Sequence, residues 1–537
     1  MNLFMLKKWA LYFHTIRYLK ISQLFWQCVR KIYYPTVSMQ TPCVQWNAVC
    51  SEWKKPVLRK DQFFENNNVL FLNEPCHCDA IWAESQKKSK LWQYHLHYFY
   101  GMLSADRETR LRMHDLLTSW VMHIKPFQMI AWDPYPISLR VNNLIKYQLT
   151  YGDLSESMLR SMYLQVRYLA VMPEYHLLGN HLLENARTLV FAGVFFQGVE
   201  AQKWFKLGMR ILHREIPEQI LSDGGYFELS PMYHALILEL MLDLCNLFQA
   251  YQVFFPEAWM QRLQKMRIWL QAMTHPDGEI AFFNDAALGM APTQSQLENY
   301  AVELGLPVLP EIKDTIIYFK DSGYLRLQKN KKVLLLDCAK VGPDYQPGHA
   351  HADTLSFELS IDGQRCIVNS GTNTYEIGKN RAWQRSTAAH STVEIDQKNS
   401  SMIWSAFRVA KRAYPGTVQI KKNKQEWCVT GSHNGYRALG VVHTRQWVLT
   451  ESECIVSDYC SEPCHAISRY YLHPAVSVER DNNKIILKVK NHQMTIVSDH
   501  VMNVNCSQYY PEFGKMIPSQ VIESSFSVNT QFHLRVD

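Results

Sequence analysis

The sequence contains no run of about 18 consecutive apolar residues, so it offers no obvious membrane-spanning helix. Its best apolar stretch, residues 189–196, is short enough to read as part of a core helix. Its 13 cysteines follow no regular spacing. Cys76-His77-Cys78 has a metal-like look, but no second pair follows at zinc-ribbon spacing. The thiols therefore read as reduced, which points to the cytoplasm rather than the periplasm. Near the N-terminus there is neither a clean apolar block nor a small-residue cleavage site, so a secretory leader is not expected. This end of the chain is basic through Lys7, Lys8, Arg17, Lys20, Arg30 and Lys31, and an amphipathic helix over about residues 9–31 fits it better. Such a helix either packs against the rest of the protein or makes peripheral contact with a membrane. Net charge is small as well. A net +7, from 56 Lys+Arg against 49 Asp+Glu, is too weak for a dedicated nucleic-acid binder but suits an acidic substrate.

What is present is aromatic and rich in histidine: 15 Trp, 28 Tyr, 24 Phe and 21 His in 537 residues, enough for cores and a stacking surface. The pattern changes near residue 310. Before it, apolar residues recur every three to four positions over 111–124, 138–149, 158–170, 179–196, 204–221, 230–251 and 258–273. Turn-like breaks separate these stretches, and no fixed repeat length is visible, which favours a toroid or bundle over a solenoid. After residue 315 the period becomes two, as in Leu355, Phe357, Leu359 and Ile361, the mark of an antiparallel β-sandwich. The expected domains are an extension over 1–90, helices over 91–310 and strands over 311–537.

Four polar clusters carry candidate chemistry. Gly179-Asn180-His181-Leu182-Leu183-Glu184 places Asn180 and His181 at a helix start, where amides and the macrodipole suit a carboxylate. An N-cap Asn beside a core His would produce the same pattern. Ser230-Pro231-Met232-Tyr233-His234 reads as an N-cap, a Pro at the first helical position, and Tyr233 in the first turn. Tyrosine is a poor base at neutral pH, yet it can both accept and donate a proton within one turnover. Gly348-His349-Ala350-His351-Ala352-Asp353 enters a predicted strand, so His349, His351 and Asp353 would share a face suited to metal binding or proton transfer. His390 lies among small residues at another predicted strand start, where the local pattern does not separate metal from substrate binding.

Together with Leu91-Trp92-Gln93-Tyr94-His95-Leu96-His97-Tyr98-Phe99, Trp132-Asp133-Pro134-Tyr135-Pro136, Asn369-Ser370-Gly371-Thr372 with Tyr375, and His473-Pro474, these clusters resemble the heparinase II/III-like polysaccharide lyases over residues 90–475. The resemblance implies an N-terminal (α/α) toroid of helical hairpins, a C-terminal antiparallel β-sandwich, and a site in the cleft between them. It implies an enzyme that cleaves a uronate-containing acidic polysaccharide, without an organic cofactor, by β-elimination. Asn180, with His181 beside it, would offset the substrate carboxylate, contributing on the order of 3–4 kcal/mol per donor. Tyr233 would protonate the leaving oxygen and, for one uronate epimer, also take the C5 proton; His349 would take it for the other. His390 would orient substrate or metal. Some members carry a structural zinc; His351 and His390 match two ligand positions, while Asn369 stands where an aspartate is expected and Asp353 is a substitute. Similar N-terminal segments accompany relatives in bacterial surface-polysaccharide production. Further substrate contacts are expected from Glu184, Arg140 and Arg385, with Arg187, Lys379, Arg381 and Arg408 as additional basic groups. Two other readings stay open: a glycan-binding or assembly factor without turnover, and a glycosidase using two of Glu184, Asp223, Glu228 and Asp285.

Overall fold

The computed structural model describes residues 3–33, 35–58, 64, 65, 67–127, 130–481, 484–490 and 492–536. Helices α1 (Leu3–Ile16) and α2 (Ile21–Ile32) open the chain, so the single amphipathic helix expected over 9–31 is two, broken around Arg17–Lys20. A short helix α3 (Ile81–Glu84) follows, and then α4 (Lys90–Tyr98), α5 (Arg107–His123), α6 (Pro134–Tyr151), α7 (Glu156–Val171), α8 (Gly179–Phe195), α9 (Val199–Gln219), α10 (Pro231–Ala250), α11 (Glu257–Ala272) and α12 (Gln294–Glu303). The seven stretches with helical periodicity all lie on helices α5 to α11. Their limits follow local chemistry. Asp106, Ser155 and Ser230 accept backbone N–H groups as N-caps, and Gly152 closes α6 at φ 78°. Helix α10 has the length and hydropathy of a membrane span, but its apolar surface is buried in the toroid.

Glycine sets the closest helix pair. A Cβ on Gly193 of α8 would lie 2.5 Å from the backbone N of Phe205 and 2.7 Å from its Cα. One on Gly208 of α9 would lie 2.7 Å from the Ala186 carbonyl. At the centre of the toroid, Asp243 accepts from Lys146 at 2.8 Å, Arg187 at 2.9 Å and Tyr300 at 3.1 Å, tying α6, α8, α10 and α12 together.

The β-half is two facing antiparallel sheets. One runs Gln419–Lys422, Trp427–His433, His443–Leu449, Glu453–Cys460, Asn529–Val536, His492–Ser498, Lys484–Val489 and Ser477–Asp481. The other runs Met502–Tyr509, Ile517–Phe526, Ala466–Leu472, Gln364–Val368, Phe357–Ile361, Lys332–Asp337, Tyr324–Lys329 and Thr315–Phe319. Val393–Ile395 pairs with Ala466–Leu472 beside this path. Their shared core includes Leu334, Phe357, Val429, Trp447, Tyr470 and Ile496.

His443–Leu449 shows strict alternation of burial, but Lys332–Asp337 and Phe357–Ile361 are buried on both faces. The second face is covered by the helical half: Leu229, Trp269, Met273 and Phe283 pack with Tyr324, Val333 and Leu335 in one cluster. This apolar seam fixes the two halves against each other. Gly193→Ala is expected to destabilise the helical half by about 1–3 kcal/mol, since backbone atoms cannot yield to the added methyl; denaturant unfolding followed by helical circular dichroism measures it.

Candidate functional site

The polar clusters converge where the seam opens. Asn180 stands in the first turn of α8, which begins abruptly because Leu178 and Gly179 both take positive φ, 62° and 55°. A Cβ on Gly179 would lie 2.5 Å from the Glu228 carboxylate, so glycine lets this turn approach the site closely. One end of the Asn180 amide donates to the Tyr135 hydroxyl at 3.4 Å, and the other is buried without a hydrogen-bond partner. His181 stacks on Tyr135, with ring centroids 4.2 Å apart, and its Nδ1 lies 3.2 Å from Glu174. Tyr94, Tyr98, Tyr100 and Tyr135 continue as a wall of edge-on and stacked rings.

Ser230 caps α10 by accepting the Tyr233 N–H at 3.2 Å, as the Ser-Pro signal predicts. The Tyr233 ring lies face to face with His349, centroids 3.9 Å apart, and its hydroxyl is 3.1 Å from that of Tyr375. Burial first, then the Tyr375 hydroxyl and the Asp285 charge, raise Tyr233 well above the ordinary tyrosine range. It is a phenol, equipped to donate a proton.

His349, His351 and Asp353 lie in a loop ahead of Phe357–Ile361, not in a strand, so the expectation of one shared strand face is corrected. The two histidines are instead brought together by Asp285, which follows the positive-φ residue Asn284. His349 Nδ1 lies 2.9 Å from one Asp285 oxygen, His351 Nε2 lies 2.8 Å from the other, and Arg381 spans both. Burial would raise Asp285, but the guanidinium and the imidazole hydrogen bonds outweigh it and hold the carboxyl well below its usual range. An ionised carboxylate only accepts, which assigns the protons to His349 Nδ1 and His351 Nε2. In the neutral ring the lone pair is then on His349 Nε2, 3.7 Å from a Glu228 oxygen that has no hydrogen-bond partner. The side chain of His349 is 13% exposed, against 1% for His351. Glu228 itself is raised by burial, partly offset by His349.

His390 donates from Nδ1 to the Ser386 carbonyl at 2.7 Å. Its Nε2 then meets the unprotonated Nδ1 of His351 at 3.0 Å, two lone pairs face to face. Burial lowers both rings, His351 to about 4, so a shared proton is a poor remedy. A metal ion between two imidazoles whose outer N–H groups are already anchored would resolve the conflict. Asp353 completes the set: donor atoms of His351, Asp353 and His390 all lie within 4.8 Å of one another. Asn369 is corrected as a ligand. Its amide donates to the Phe282 carbonyl at 3.0 Å and accepts the Ser391 N–H at 2.9 Å, so both ends bind backbone.

Three expected substrate contacts are also corrected. Arg140 is fully buried, holding Gln165 and the carbonyls of His97 and Ala131. Arg385 holds the Ala350 and Ser405 carbonyls and so shapes the loop that carries His349. Glu184 is buried in an ion pair with Arg187, 2.6 Å away. Of the other basic groups, Arg187 and Arg381 are buried and paired, while Lys379 and Arg408 are exposed. Sequence reading gave Asp285 and Glu228 only the glycosidase role, and Tyr375 none; no local pattern marks residues whose partners lie up to 142 positions away.

A helical toroid docked on an antiparallel sandwich, with the polar site at the seam, is the architecture of a solved heparinase III. That structure aligns with a TM-score of 0.69 and 19% identity, covering 84% of this chain and 78% of that one. The sequence profile of the heparinase II/III N-terminus matches residues 38–306, and that of the heparinase II/III-like C-terminal domain matches 313–535. The chain belongs to the heparinase II/III-like family. A heparin-sulfate lyase of Bacteroides stercoris is 30% identical over 46% of this chain and 40% of that protein. The chain thus spans well under half the length of that relative. FtsZ-localized protein C of Caulobacter vibrioides is 24% identical over 57% of this chain and 56% of its own.

Asp285→Asn is expected to lower stability by about 3–5 kcal/mol, because Arg381 is left buried without a counter-charge. His349→Gln, at the edge of the cleft, is expected to melt close to wild type in the same thermal measurement.

Proposed function

We propose that the chain is a polysaccharide lyase acting on a uronate-containing polymer by β-elimination. The observation that carries this reading is the stacking of the partly exposed His349 imidazole, anchored to Asp285 through Nδ1, on the ring of Tyr233. The Asn180 amide nitrogen, which now makes only the long 3.4 Å bond to Tyr135, and His181 would donate to the substrate carboxylate and stabilise the charge that moves onto it as C5 loses its proton. His349 Nε2 takes that proton, the C4–O4 bond breaks with formation of the C4–C5 double bond, and Tyr233 donates its proton to O4. Tyr375 is placed to pass a proton back to Tyr233, and solvent restores both groups. The high setting of Tyr233 keeps its proton in place at neutral pH, so the phenol rests as a group with a proton to hand to O4 as charge develops there.

The glycosidase reading is weaker. Glu184 and Asp285 are buried and ion-paired, and Asp223 caps the Asp321 and Ser322 amides, leaving Glu228 without a partner carboxylate across the cleft. Of the six basic residues named from sequence, four are buried in ion pairs or backbone hydrogen bonds and only Lys379 and Arg408 are exposed. This supports a polymer whose charge is mainly carboxylate over a densely sulfated one.

Tyr233→Phe and His349→Ala are each expected to lower turnover by at least about tenfold while the fold is retained. The assay is the ultraviolet absorbance of the unsaturated uronate across a panel of uronate polymers. Polymer binding without this product, unchanged by Tyr233→Phe, would instead favour a binding or assembly factor.

Zinc is the metal the donor set suits, held by His351, His390 and Asp353. When bound it supplies no step of the elimination; it would clamp the two loops of the sandwich. Elemental analysis of purified protein is expected to find equimolar zinc, lost in His390→Ala and retained in Asn369→Ser.

A further inference from the structure

Helices α1 and α2 lie outside the family profile that begins at residue 38, and the reaction above makes no use of them. Both are attached to the protein along one side only. On that side Tyr12 packs edge-on against Trp404, Arg412 lies over the Tyr18 ring at 3.8 Å, Gln23 donates to the Tyr345 carbonyl, and Trp26 stacks on Tyr175. These contacts reach both halves of the protein, so the helix pair is a fixed part of the fold.

The outward side reverses what a soluble surface shows. On α1 it carries Trp9, Phe13 and Ile16, which are 66%, 65% and 46% exposed. On α2 it carries Ile21, Phe25 and Ile32, at 85%, 58% and 81%. The spacings of four, three, four and seven residues place each set on one stripe of its helix. Exposed Lys8, Arg17 and Lys31 border the stripes.

Charge identifies the occupant. Residues 1–51 contain six Lys and Arg and no Asp or Glu. The remaining 486 residues hold 50 basic against 49 acidic side chains, so nearly the whole +7 of the protein belongs to this segment. A second copy of the chain would bring the same six positive charges face to face. A polyanionic glycan would match the charge but leave the isoleucines and phenylalanines in water.

We infer that α1 and α2 form a docking surface for an anionic lipid bilayer. Their aromatic and aliphatic stripes would enter the headgroup boundary while Lys and Arg meet acidic headgroups. At 14 and 12 residues the helices are too short to cross a bilayer, and they lie along it. Because they bridge both halves, docking fixes the orientation of the cleft to the membrane.

The test is co-sedimentation of the full chain with vesicles of phosphatidylcholine alone, or with phosphatidylglycerol added. The expected result is at least about fivefold more protein pelleted with the anionic vesicles, falling as salt is raised. The double variant Phe13→Ser/Phe25→Ser is expected to lose this binding and keep the wild-type melting temperature, since both side chains point away from the protein. Equal pelleting with both vesicle types, no pelleting with either, or unchanged binding by the double variant would overturn the proposal. So would a dimer, seen by light scattering, that the double variant dissolves.

Discussion

One carboxylate holds the site together. Asp285 belongs to the helical half, in the segment between α11 and α12, yet its side-chain partners His349, His351 and Arg381 all come from the β-half. Its backbone joins the same knot: its N–H donates to the His349 carbonyl, and its carbonyl accepts from Ser230, the cap of the helix that carries Tyr233. Asn284 next to it donates to the Leu229 carbonyl, accepts the His351 N–H, and gives its own N–H to Asp353. Two neighbouring residues thus set the position of the tyrosine helix, the orientation of the partly exposed His349 and the placement of the buried histidine cluster. A charge buried this deeply is tolerated because His349, His351, both ends of the Arg381 guanidinium and Thr372 all donate to it. That same crowding fixes which nitrogen of His349 is free.

The β-half contains a second pair of touching histidines, and the contrast explains why only one pair suits a metal. In the core between the sheets, Gly435 donates to His433 Nδ1, His433 and His443 meet at 3.2 Å, and His443 Nε2 lies 2.8 Å from Asp458. Protons run in one direction along this chain: His433 Nε2–H to His443 Nδ1, and His443 Nε2–H to the carboxylate that Arg445 also holds. Every group is satisfied and nothing is missing. At His351 and His390 both outer nitrogens are already donors, one to a carboxylate and one to a carbonyl, so the inner nitrogens have lone pairs and no proton between them. Two clusters of similar composition differ only in the direction of their hydrogen bonds.

Much of this was legible in the residues. Periodicity marked helices α5 to α11 and the change from helical to strand spacing, because amphipathic spacing is a local property, but it merged α1 and α2 into one helix and missed α12. The Ser230-Pro231 cap and the helix start at Asn180 were legible for the same reason. Legibility ended where a side chain's role depends on burial. Arg140 and Arg385 carry the charge a polyanion would need, and only the fold shows their guanidinium groups filled by backbone carbonyls. Strand alternation failed for His349 and His351, since this loop is shaped by Arg385, Asn284 and Asp285 rather than by ladder hydrogen bonds. Asp285 itself lies in a short apolar stretch with no turn or helix signal, and its partner Arg381 is 96 positions away.

The disposition of charge follows the same logic. A helical domain and a sandwich pressed together across an apolar seam must bury loop carbonyls at the rim, and arginine, with five donors on a rigid plane, satisfies several at once. Arg326 does this by binding the Ala272 and Thr274 carbonyls at the end of α11, Arg385 does it for the loop that carries His349, and Arg140 does the same for carbonyls inside the helical half. Arginines spent on the scaffold are lost to the substrate, which is why an overall positive chain has a cleft walled mainly by tyrosine, histidine and asparagine. Recognition there rests on rings for stacking and on single polar groups aimed at a carboxylate, and the chain's excess of positive charge stands apart from it, on the two N-terminal helices.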